Sequence, residues 1–66
     1  MTLQDIIETG KPLEIRRAIA VSLRLSLVDR KSISDALHVS IAFVDKWYGV
    51  YARMGADGII AISRER

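Results

Sequence analysis

One histidine, His38, and no cysteine stand in this chain. A structural zinc site needs about four nitrogen or sulfur ligands, so none is expected, and no disulfide can staple the fold. The carboxylates Asp5, Glu8, Glu14, Asp29, Asp35, Asp45, Asp57 and Glu65 are dispersed. None is spaced as an acid–base pair, and most suit helix caps or solvated faces. There is no glycine-rich phosphate loop and no Ser/His/Asp pattern, and His38 reads as a turn residue. No catalytic residue, cofactor, metal or small-molecule substrate is expected, and the chain is not read as an enzyme. What its polar residues can do is hold an anion. Arg30, Lys31, Lys46 and Arg53 lie within residues 29–54 together with Ser40, and phosphate contact is the chemistry such side chains serve. The same segment carries Asp29, Asp35 and Asp45, four cations against three carboxylates. The whole chain has a net charge of +2 and an isoelectric point of about 9.4. That balance is mildly basic, and an ordinary solvated surface accounts for it as well as a nucleic-acid partner does.

The elements that must position these residues are two short helices joined by a tight turn, in RKSISDALHVSIAFVDKWYG (residues 30–49). Asp29 is placed to cap the first, its carboxylate accepting from the free amides of the next turn. Ile33 and Leu37 share one face, and small Ser34 and Ala36 would let another backbone approach. His38-Val39-Ser40 interrupts the pattern, with His38 a candidate for left-handed backbone. Ser40 caps the second helix, in which Val44, Trp47, Tyr51 and Met54 form the expected buried stripe and Gly55 the expected left-handed stop. Ile41, Ala42, Asp45, Lys46, Gly49 and Arg53 are left facing away. This is the spacing of a helix-turn-helix, whose second helix can enter the DNA major groove. A generic amphipathic helical hairpin would share much of it, and several matched positions in one short segment favour the sharper reading.

Two further helices are expected. Residues 1–10 form the first: Thr2 with Asp5 resembles a capping box, Leu3, Ile6 and Ile7 make its apolar face, and Gly10 ends it. Residues 12–27 form the second, with Pro12 at a first helical position and Glu14 placed to pair with Arg17. This helix is apolar nearly all round. Leu13, Ala20, Leu23 and Leu27 form one stripe, Ile15, Ala18 and Ile19 another, and Arg17, Val21, Arg24 and Val28 a third. Such a helix is normally buried. Either the first helix covers its outer side, or a second copy packs there in a homodimer, Val21 and Val28 at the seam and the arginine heads reaching water. In the tail, residues 55–66, Asp57-Gly58 marks a turn, and Ile59, Ile60 and Ile62 can pack back. No strand, repeat or linker is expected.

At 66 residues the chain makes one domain, burying only about 60% of its unfolded surface. Half its residues are apolar and its mean hydropathy is +0.19, so apolar surface stays wet or a partner covers it. The N-terminus is acidic and unlike a signal peptide. The apolar run 18–28 is broken by Arg24 and is too short for a bilayer. A cytoplasmic protein without membrane contact is expected.

Residues 13–60 resemble the N-terminal helix-turn-helix region of insertion-sequence transposases, especially the mariner-like bacterial and cyanobacterial groups. The matching pieces are LEIRRAIAVSL, ISDALHVSIAFVDKW and MGADGI. The resemblance implies a region that binds the ends of a mobile element; the acidic catalytic domain that follows it in such proteins has no counterpart in this sequence. Two positions depart from the pattern. His38 stands where the family usually has Gly, and Asp45 where it often has Ser.

The expected fold is therefore all-α, a small homeodomain-like helix-turn-helix bundle of about four helices in a single domain, 1–66. The expected function is binding of double-stranded DNA by recognition helix 40–54, with Ser40, Ile41, Ala42, Asp45, Lys46 and Gly49 on the DNA-facing side: Lys46 on a base or phosphate, Ser40 and Ile41 approaching the backbone and a thymine methyl, and Arg30, Lys31 and Arg53 on phosphates. The alternative is a protein-interaction or dimerisation module that kept the fold and lost DNA reading.

Overall fold

Each of the first four helices begins where the chain can satisfy or dispense with free amides. The computed structural model describes residues 2–61, in which α1 is Leu3–Thr9, α2 Pro12–Leu25, α3 Arg30–Leu37, α4 Ile41–Met54 and α5 Ala56–Ala61. Thr2 and Asp5 form a reciprocal capping box: the Asp5 amide donates to Thr2 Oγ1 and the Thr2 amide to Asp5 Oδ2. Pro12 opens α2, and the Lys11 amide donates to the Glu14 carboxylate. Asp29 accepts from both the amide and the hydroxyl of Ser32. Ser40 accepts from the Phe43 amide.

Two corners are built alike. After α2, Leu27 takes φ +68° and the Val28 amide reaches back to the Leu23 carbonyl. After α3, His38 takes φ +58°, as expected, and the Val39 amide reaches back to Ser34. Both are Schellman closures. In both the left-handed residue is followed by a valine that turns inward and then by the N-cap of the next helix. Val28 and Val39 pack on Ala20, Ile33 and Val44, beside Leu23, Leu37 and Phe43. This is the core between α2, α3 and α4. A second cluster lies between α1, α2, α4 and α5, where Ile6, Ala18, Val21, Trp47, Val50, Ala56 and Ile59 meet. Phe43 touches both.

The fold is all-helical and compact, with no strand among the described residues. It corrects four expectations. Five helices are described rather than about four, because Asp57-Gly58 lies inside α5 instead of forming a turn. Ile59 packs back as expected, whereas Ile62 lies outside the described residues. On α4 the stripe is Val44, Trp47 and Val50, with Tyr51 half-buried; Met54 is exposed. Gly55 ends α4 at φ +72° but ψ −166°, a positive-φ extended conformation rather than a left-handed helical one. Finally, Val21 and Arg17 are buried inside the single chain. Of the α2 face assigned to a homodimer seam, Arg17 and Val21 pack inside the chain, so Val21 offers nothing to a second copy, while Arg24 and Val28 stay half-buried. No described helix is long and apolar enough to cross a membrane.

Candidate nucleic-acid interface

The helix α4 is anchored on one side and open on the other. Val44, Trp47 and Val50 hold it to the core, while Ile41, Ala42, Asp45, Lys46 and Arg53 are exposed. Gly49 is half-buried between them. Helical spacing aligns Ala42, Lys46, Gly49 and Arg53 on one strip and Ile41 and Asp45 on the next. Ser40 stands at the start of α4 with its hydroxyl committed to capping. The fold thus brings the expected groove-facing set onto one surface. Arg30, in the first turn of α3, borders it through Asp45, with Lys31 next to it in sequence.

The charges are not free. Arg30 Nη1 lies 2.8 Å from Asp45 Oδ2, both side chains half exposed. Asp45 is expected at the groove and Arg30 on phosphate; in the structure each engages the other. An exposed pair of this kind contributes only about 0.2–1 kcal/mol, so a phosphate can compete for the guanidinium. Lys31 pairs with Asp35 at 3.6 Å. Lys46 Nζ lies 5.1 Å from the centre of the Trp47 ring. The Arg53 guanidinium folds back over Gly49, 3.9 Å from where a Cβ would stand. Asp29 is held below the ordinary carboxylate range by its side-chain hydrogen bond from the Ser32 hydroxyl and, next, by the Ser32 amide.

Two features escaped the sequence. Tyr48 is exposed beside this face, with the Arg24 guanidinium 5.9 Å from its ring; its place one turn from Asp45 and two from Ile41 was the available signal. The other is Arg17. Its guanidinium stacks 4.0 Å from the centre of the Trp47 ring, and Nη1 donates to the Ile59 carbonyl at 3.0 Å. Its Nε is buried without a hydrogen-bond partner. Burial pushes this guanidinium below its usual range, and Glu14 pushes it back. Arg17 therefore joins α2, the buried side of α4 and α5.

No family model matches the chain, nor does any curated protein or solved structure. The motif residues compared with the transposase region fall as follows: ISDAL lies in α3, Val39 and Ser40 in the corner, IAFVDKW in α4, and MGADGI across the α4–α5 junction.

Proposed function

We propose that the chain is a cytoplasmic module that binds double-stranded DNA by laying the exposed face of α4 in the major groove. The observation that carries this reading is the pairing of a tightly closed α3–α4 corner with an α4 whose outward face, from Ile41 to Arg53, is left open while the opposite face is packed. Arg30, Lys31 and Arg53 border that face as candidate phosphate contacts, and Lys46 projects from its middle as a contact to base or phosphate. By its resemblance to the transposase region, the target would be the end of a mobile element.

A titration of labelled duplex at two salt concentrations tests it. Lys46→Ala should weaken binding by about 1–3 kcal/mol where Lys46 reads a base, or lower the salt slope by about one where it holds phosphate. Asp45→Ser removes a carboxylate and releases Arg30. Affinity for random duplex should rise, most at low salt where screening is weak. Silence of both the wild type and Asp45→Ser at low salt would remove DNA as the partner.

A second reading has its own support. Leu27 is 86% exposed, and Leu13 and Leu25 are also exposed. Pro12, Ile15, Arg16, Ile19 and Leu37 line an open, largely apolar groove of about 360 Å³. Exposed apolar surface of this kind suits an interaction or homodimerisation module. Sedimentation at micromolar concentration addresses the homodimer, and a monomer there dismisses it.

A further inference from the structure

Hydrogen-bond readout in the major groove is carried mainly by arginine or lysine on guanine, asparagine or glutamine on adenine, and carboxylates on cytosine N4. From the N-cap Ser40 to Gly49 there is no arginine, asparagine or glutamine, and Lys46, in the second turn of α4, is the one cation. The one carboxylate, Asp45, is engaged by Arg30 at 2.8 Å. The Ser40 hydroxyl caps the helix. What the first turn presents outward is apolar: Ile41, 42% exposed, and Ala42 beside it. Ala42 is small enough for the turn to approach the groove floor. The apolar group that the groove offers is the 5-methyl of a pyrimidine, and among unmodified bases only thymine has one.

Resting on the DNA-binding reading of α4, we infer that the helix selects thymine through its C5-methyl group, with Ile41 as the specificity-determining contact. Lys46 fixes which methylated pyrimidine is taken. Its ammonium can only donate, and it lies one turn beyond Ala42 on the same strip. Thymine carries the O4 acceptor next to its methyl, whereas 5-methylcytosine carries the N4 donor there. Asp45, paired with Arg30 in the free protein, lies one turn beyond Ile41, so the first turn itself meets the groove with apolar side chains.

The test uses four duplexes of about 20 base pairs: alternating A·T, the same duplex with deoxyuridine for every thymidine, G·C, and G·C with 5-methylcytosine. Wild type, Ile41→Ala and Ile41→Val are titrated against each by fluorescence anisotropy at low salt. Wild type should bind A·T tighter than A·U by about four-fold for each methyl contacted. Ile41→Val should keep most of that ratio and Ile41→Ala should bring it close to one, whatever its overall affinity; a ratio unchanged in Ile41→Ala would overturn Ile41 as the contact. The gain from methylating cytosine should be smaller than the gain from thymine. Equal affinity of the wild type for A·T and A·U, with both bound, would overturn the thymine contact and leave DNA binding intact. A larger gain from 5-methylcytosine would overturn the assignment to thymine. Failure to bind any of the four would remove the DNA-binding reading itself.

Discussion

Leu27 and His38 hold backbone conformations that L-residues avoid, and for the same purpose: each closes a helix so that the next residue, a valine, can turn into the core. The left-handed region costs a non-glycine residue about 1–2 kcal/mol, and histidine tolerates it better than leucine does. Leu27 is also almost fully exposed, so little packing is lost with its side chain. Leu27→Gly should therefore stabilise the fold by about 1 kcal/mol and His38→Gly by about half as much, glycine's larger unfolded entropy offsetting part of each gain. Urea midpoints would measure both. A loss of stability in Leu27→Gly would show that its side chain makes a contact of its own. His38 was legible in the sequence because a polar residue followed by Val-Ser interrupts a helical pattern. Leu27 was not, because an apolar run continues through it and leucine is a poor turn signal. At the reading surface, the exposed positions of α4 were legible from periodicity, but the Arg30–Asp45 pair was not. It joins two helices across a corner, and spacing along one helix carries no information about that.

At the scale of the helices, the glycines separate by environment. Gly49 lies inside α4 with open space beside it; an added Cβ would meet only the Arg53 guanidinium at 3.9 Å. Gly49→Ala should stabilise by about 1 kcal/mol, the helix-interior difference between the two residues. Gly58 also lies in a helix, but a Cβ there would stand 2.8 Å from both Met54 Cβ and Val50 Cγ1. Gly58→Ala should destabilise despite its better helix propensity, because α5 would have to lift from α4. Thermal melts of the two variants should move in opposite directions, and a stabilised Gly58→Ala would mean that α5 does not pack this closely. This contrast explains why the start of each early helix could be read in advance while the last helix could not. Caps such as Thr2, Asp29 and Ser40 act within three residues. Asp57-Gly58 has the composition of a turn, and the reason for its glycine is the surface of α4. Val50 rather than Met54 completes the buried stripe because it joins Trp47, Ala56 and Ile59 in the core, while Met54 only edges α5 at Gly58 and stays half exposed.

For the molecule as a whole, Arg17 is the residue on which three helices converge. A buried cation–π contact contributes about 2 kcal/mol, and a hydrogen bond from a charged group about 1.5–3. Arg17→Ala should cost about 2–4 kcal/mol in denaturant unfolding. Arg17→Lys should recover less than half of this, since an ammonium cannot lie flat on the Trp47 ring while reaching Ile59. Trp47→Ala should cost about 3–5 kcal/mol, and the double variant should cost less than the two added together because the contact is shared. Full additivity would separate the two side chains energetically. The sequence showed Arg17 among valines and suggested a head reaching solvent at a dimer seam; its partner, the Ile59 carbonyl, lies 42 residues away along the chain. That separation has a consequence in time. The two corners close over five residues, whereas the Arg17–Ile59 link must wait until α2, α4 and α5 have all been brought together, so it belongs after the folding barrier. An interaction formed that late governs how fast the protein comes apart. In stopped-flow measurements Arg17→Ala should leave the refolding rate near that of the wild type and accelerate unfolding, making this one guanidinium a brake on the escape from the native state; a slowed refolding limb would place the link before the barrier.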